Sequence, residues 1–176
     1  MKMAAYIMLA LATVALYVMI KLIWVWYRLR FHPHVERIEI AFPAIAPELN
    51  ALVDEVATVA GVSTPALYIR RAALPNAFIV ATIIRPELYL TDELLEDCDR
   101  RQDGLNRLIH TVCHEIAHIK RGDAPKLCFL TWLMHLTSAL CLPSLANAVS
   151  KKIGSIEQDT DIEANHLAGM LAGDML

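Results

Sequence analysis

Residues 103–122 read DGLNRLIHTVCHEIAHIKRG. Leu105, Leu108, Ile109, Val112, Ile116 and Ile119 recur at the three- and four-residue spacing of one helical face, and Gly122 follows as a helix-ending residue. The spacing predicts an amphipathic helix that begins near Asp103 and stops at Gly122. His114 and His118 then lie one turn apart on one side of it, close enough for both imidazoles to reach one zinc ion at about 2.0–2.1 Å. Glu115 projects beside them, positioned to take a proton from a water that such an ion acidifies toward pH 7. His110 is one turn earlier on the same face. It stands about 12 Å along the axis from His118, too far for all three imidazoles to share one ion, so it is assigned a packing or supporting role.

Upstream, Pro47 and Glu48 open a second helical pattern, with Leu49, Leu52, Val53, Val56 and Val59 on one face and Gly61 at its end. The texture then changes. Ala66–Ala72, Ala77–Ile83 and Glu87–Leu90 are short runs rich in Ile, Val, Tyr and Phe, broken by Pro75, Asn76 and Pro86, and read as three strands of a small sheet. Thr91 with Asp92 and Glu93 marks another helix start. A helix, a small sheet and further helices define an α+β fold.

A zinc site on the central helix needs a third protein ligand from elsewhere. Downstream lies an acidic run, Glu157, Asp159, Asp161 and Glu163, on a predicted helix that continues through Ala164, Asn165 and His166 to Gly169. Glu157, Asp161 and Asn165 share one face at i, i+4, i+8 spacing, while Glu163 points away. On this reading Asp161 ligates zinc, with Glu157 one turn earlier as the alternative. Asn165 offers its side-chain oxygen to the ring N–H of a ligating histidine.

The chain of 176 residues accommodates one ordinary domain plus a short appendage. With 56% apolar and 20% charged residues and a mean hydropathy of +0.42, it is too apolar for a disordered protein or an ordinary soluble one. A net charge of −3 gives no reason to expect nucleic acid as a partner. The excess hydrophobicity sits in two stretches. Met3–Ile20 is eighteen residues without a charge, followed by Lys21 and the aromatic cluster Trp24, Trp26 and Tyr27. This predicts a transmembrane anchor over residues 1–30, a basic linker over 31–45 and the catalytic domain over 46–176. Arg28, Arg30 and Arg37 after the span, against Lys2 before it, put the domain of this single-pass protein in the cytoplasm. Cys98, Cys113, Cys128 and Cys141 lack metal or disulfide spacing and fit a reducing compartment. The second stretch, Leu127–Val149, lies between His118 and Asp161. A single crossing would strand those two on opposite sides of the bilayer, and two crossings need about forty residues. The segment is therefore expected to be a non-spanning helical hairpin broken near Pro143, buried in the domain or dipping into the membrane surface.

Four blocks in order, Leu74-Pro75-Asn76-Ala77-Phe78, Leu94-Leu95, HEIAHIKRGD at 114–123 and Asp161-Ile162-Glu163-Ala164-Asn165, resemble the HtpX-type zinc metalloproteases, gluzincins whose relatives include the CAAX prenyl and Oma-type proteases. The resemblance covers roughly residues 65–170. It implies a zincin-like domain and a membrane-anchored zinc endopeptidase acting on protein or peptide substrates, with protein quality control as its setting. It further implies His114 and His118 as zinc ligands with a downstream acidic third, Glu115 as general base, and Asn76, Ala77 and Phe78 as the cleft edge that aligns extended substrate. The family's usual Glu-x-x-Ala-Asp is read here at Asp161–Asn165, with an acid one methylene shorter. That ending also resembles the Glu-x-x-Ala-Asn of ImmA/IrrE-type regulatory metalloproteases, which implies cleavage of a repressor-like partner instead. A third alternative, a catalytically weak zinc-containing scaffold, is suggested by the shorter Asp161.

Overall fold

The computed structural model describes residues 34–80, 85–139 and 141–174, with Tyr17 and Ile20. The expected anchor over residues 1–30 and the last residues of the second predicted strand, 81–83, lie outside that set. The chain divides into two units, Met1–Val35 and Glu36–Leu176. In the first, Tyr17 and Ile20 are helical and exposed. Among the described residues, no helix is long and apolar enough to cross a membrane.

The second unit is α+β. β1 (Val35–Arg37), which starts at the boundary residue Val35, and α1 (Ile38–Ala41) lie within a stretch expected to be linker. Ile38 is fully buried in the core. α2 (Ala46–Ala60) has Pro47 in its first turn, where the missing N–H costs nothing. It ends at Gly61, whose φ of +72° lets its N–H reach back to the Ala57 and Thr58 carbonyls. The strands β2 (Ala66–Arg70), β3 (Ala77–Val80) and β4 (Glu87–Thr91) follow. Among the described residues the sheet has four strands in the order β1-β2-β4-β3, not the three expected. The missed strand is three residues of Val-Glu-Arg, too short to display an alternating pattern.

β2 runs parallel to β4, pairing Tyr68 with Tyr89, and β3 runs antiparallel to β4, pairing Phe78 with Tyr89. Alternation along the strands sends Leu67, Ile69, Leu88 and Leu90 into the helical core, while Tyr68, Tyr89 and Phe78 stack on the other face at 5.3 and 5.0 Å between ring centroids. At the end of β4, Thr91 caps α3 (Asp92–Asp99), its Oγ1 accepting from the N–H groups of Leu94 and Asn76. α4 (Gly104–Arg121) is the predicted central helix. It starts so close to α3 that a Cβ on Gly104 would lie 1.7 Å from the Cys98 carbonyl oxygen. It ends at Gly122, with φ +62° and its N–H on the His118 and Ile119 carbonyls.

The second apolar stretch forms the predicted hairpin. α5 (Ala124–Ala139) runs out, the chain bends at Cys141 and Leu142, and α6 (Pro143–Asp174) returns with Pro143 in its first turn. α6 has 32 residues, about 48 Å of helix, and packs on α5, α4 and α2. Val149, Ile156, Thr160, Ala164, Leu167 and Leu171 form its buried stripe, and the last three join α2, α4 and the sheet in the main core. Burying a leucine such as Leu167 is worth about 1.5–3 kcal/mol, so this stripe fixes the axial position of α6 against α4, and with it the position of every acid on its outer side.

Candidate metal centre

α4 and α6 lie antiparallel and meet in a ladder of three rungs. His118 faces Glu157, His114 faces both Glu157 and Asp161, and His110 faces Asn165. The His114 and His118 rings stand nearly perpendicular, and their Nε2 atoms approach to 3.2 Å. Glu157 Oε2 lies 3.4 Å from each of them. Ligands held about 2.05 Å from a tetrahedral zinc ion are about 3.3 Å from one another, so the three atoms already have the spacing of one face of that tetrahedron.

The outer nitrogens of the two rings indicate what the inner ones carry. His114 Nδ1 lies 2.9 Å from Asp161 Oδ1. An ionised carboxylate can only accept, so Nδ1 bears a hydrogen, and in the neutral ring that leaves the lone pair on Nε2. His118 Nδ1 lies 3.4 Å from Thr160 Oγ1, whose own hydrogen is directed to the Ile156 carbonyl at 2.9 Å. Burial holds His118 below the ordinary imidazole range, with Glu157 pulling against it, which favours the neutral ring. With both rings neutral and hydrogen-bonded through Nδ1, two lone pairs and a carboxylate oxygen converge on one point, an arrangement that a cation among them would relieve. His114, His118 and Glu157 form one such group of potential ligands among the described residues. The donor set of two imidazoles and a carboxylate suits zinc with a fourth position open.

Two expectations change. Asp161 does not point at the convergence of the Nε2 atoms; it occupies the outer nitrogen of His114, and Glu157, one turn earlier, supplies the carboxylate. Asn165 does not reach His114 or His118; its Oδ1 lies 3.0 Å from His110 Nε2. The cause is the axial offset set by the buried stripe of α6. The sequence carried a signal for it. Glu157-Gln-Asp-Thr160-Asp161 meets the pattern Glu-x-x-Ala-Asp with both acids intact and threonine in place of alanine. In that register Ala164-Asn165 falls outside the pattern.

Glu115 is buried beside this group. Burial, reinforced by the charge of Glu157, pushes its carboxyl up to about 7, against a lowering hydrogen bond from the Ile79 backbone N–H. That bond locates the cleft edge. β3 is a terminal strand of the sheet, and Thr91 N–H donates to the Asn76 carbonyl at 3.0 Å. In an antiparallel pair bonded positions alternate, so Asn76, Phe78 and Val80 bond toward β4 and Ala77 and Ile79 present their backbone groups to the open side. Of the expected edge residues Asn76, Ala77 and Phe78, Ala77 faces the cleft through its backbone. Phe78 stacks on Tyr89 instead. Ile79 was missed because backbone polarity leaves no trace in side-chain identity.

The sequence profile of peptidase family M48 matches residues 43–173. A protein of Methanothermobacter thermautotrophicus described as a protease HtpX homolog is 38% identical over 81 residues, which are 46% of this chain and 30% of that relative. The chain therefore aligns with less than a third of the curated relative's length. No solved structure matches.

Proposed function

The chain belongs to peptidase family M48, among its HtpX-type members, and from that membership we propose that it is a membrane-anchored, zinc-dependent endopeptidase. Quality control of proteins in or near the membrane is the setting we infer. His114, His118 and Glu157 are the zinc ligands, and Glu115 is the general base. The observation that carries the reading is the convergence of the His114 and His118 Nε2 atoms and the Glu157 carboxylate at tetrahedral spacing, 3.2–3.4 Å apart. Zinc bound there supplies Lewis-acid polarisation of the scissile carbonyl and lowers the pKa of water toward 7.

The chain's own residues do the rest. The backbone of Ala77 and the carbonyl of Ile79, whose N–H is engaged by Glu115, align an extended substrate by adding it to the open edge of the sheet, so the scissile bond lies across α4. Glu115, held near neutrality by burial, takes a proton on its carboxylate from the attacking water and passes it to the leaving amine. Asp161 accepts the Nδ1 hydrogen of His114 and fixes that ring. Membrane anchoring is supported by the charge-free run Met3–Ile20 and by the apolar side chains Phe129, Leu142 and Leu145 exposed on the hairpin.

The test uses the full chain in lipid nanodiscs, with zinc measured by plasma mass spectrometry and cleavage followed on an unfolded protein substrate. One zinc per chain and cleavage abolished by chelation are expected. A chain that binds no zinc, or cleaves equally well without it, would refute the proposal.

A further inference from the structure

We propose that Thr160 is the positioning residue for His118, fixing which ring nitrogen carries the hydrogen and so keeping Nε2 free to bind metal. The inference rests on the reading of His118 as a zinc ligand.

Thr160 is fully buried on α6, one residue before Asp161. Successive residues on a helix point about 100° apart. Asp161 therefore faces outward to His114, its side chain 56% exposed, while Thr160 faces inward to His118. A β-branched residue in a helix interior has no propensity advantage, and its hydroxyl must be satisfied where no water reaches. Here the hydroxyl donates to the Ile156 carbonyl, one turn back, at 2.9 Å. With its hydrogen used, the oxygen is an acceptor, and His118 Nδ1 lies 3.4 Å away.

The remaining neighbour reinforces this polarity. Asp123 is buried, with Oδ2 3.5 Å from Thr160 Oγ1. Its carboxylate is already engaged by Arg121 Nε at 2.7 Å and Lys126 Nζ at 3.1 Å. Whether the hydroxyl hydrogen turns to Ile156 or to Asp123, both partners are acceptors, and a lone pair is left for His118. His118 is 6% exposed. With a methyl in place of the hydroxyl, its Nδ1 hydrogen would be buried without that partner. The ring would then favour the other tautomer, with the hydrogen on Nε2, where it blocks metal binding. Two consecutive residues of α6 thus serve two ligands, Asp161 for His114 and Thr160 for His118.

The experiment compares the full chain in detergent micelles with Thr160→Val and Thr160→Ser. Zinc affinity is read by competition with a chromophoric chelator, and ring tautomers by nitrogen-15 NMR of histidine-labelled protein without zinc. Valine keeps the shape and removes the hydroxyl; serine keeps the hydroxyl. We expect Thr160→Val to bind zinc about 10- to 100-fold more weakly, Thr160→Ser to stay within about threefold of wild type, and wild-type His118 to carry its hydrogen on Nδ1. Wild-type zinc binding undiminished in Thr160→Val overturns the role of Thr160 and leaves the metal centre standing. A wild-type His118 with its hydrogen on Nε2 does the same and needs no variant to fold. A wild-type chain that binds no zinc overturns both readings.

Discussion

Asp161 and His114 meet at 2.9 Å through the ring nitrogen that faces away from His118. This contact separates two roles that sequence spacing leaves interchangeable. A carboxylate at Nδ1 raises the basicity of the ring and holds its angle, whereas a carboxylate at the Nε2 convergence binds the ion itself.

Glu157→Ala and Asp161→Ala should therefore differ in kind. Removing Glu157 takes away one of the three proposed ligands, and dialysed protein should retain well under one zinc per chain. Removing Asp161 should leave zinc bound at full occupancy in excess metal, with affinity about 10- to 100-fold lower. Chelator competition on both variants distinguishes the two. Equal loss, or loss with Asp161→Ala alone, would contradict the geometry.

Glu115→Gln keeps the shape of the side chain and removes the proton acceptor. Zinc content should be unchanged and kcat should fall by about 10²- to 10⁴-fold. Parallel metal analysis and cleavage assays test this; near-wild-type turnover would exclude Glu115 as the base.

Ile79→Pro removes the N–H that faces away from β4 and donates to Glu115, whereas Val80→Pro removes one from the ladder with β4. Proline is tolerated on an edge facing away from the sheet and disrupts a strand where the N–H is paired. The first variant should fold, melt within several degrees of wild type and lose at least about tenfold in kcat/KM. The second should melt far lower. Thermal melts with peptide kinetics on both check the assignment, and the opposite order would mean that the strand's parity is reversed.

Asp123 provides a pH test of stability. Burial pushes its carboxyl up, but hydrogen bonds from Arg121 and Lys126 outweigh that and hold it below the usual carboxylate range. A carboxyl with a depressed folded-state pKa contributes its full stabilisation above the unfolded value, about 3.9, and loses it as pH falls through the lower folded value. Asp123→Asn should therefore lower the melting temperature at pH 7, and the gap to wild type should narrow below about pH 4. A gap that widens in acid would reverse the inferred sign.

The local signals in the sequence were reliable where the chain itself supplies the physics. Gly61 and Gly122 end helices because each adopts a positive φ, and Thr91 begins one because its hydroxyl accepts from Leu94. The hairpin at Pro143 followed from requiring both flanks to reach one ion. Which acid meets the two Nε2 atoms did not follow, for a geometric reason. Helical periodicity puts Glu157, Asp161 and Asn165 on one face but says nothing of how far that helix slides along its neighbour, and a slide of one turn, about 5.4 Å, exchanges one acid for the next. Leu167 and Leu171 settle the offset by docking into the core, which is a tertiary fact. β1 stayed invisible because three residues cannot establish a period, and Thr160 because a lone hydroxyl gains meaning only from the ring opposite it.

The excursion through α5 and the start of α6 departs next to one end of the histidine ladder and comes back to the same level. Its reach is thus decoupled from the chemistry at its base. Adding seven residues to each arm would move the bend outward by about 10 Å, two helical turns, while keeping the same faces together. This stretch can therefore be lengthened, shortened or recoded as an interchangeable probe of the domain's surroundings without altering the spacing between His118 and Glu157.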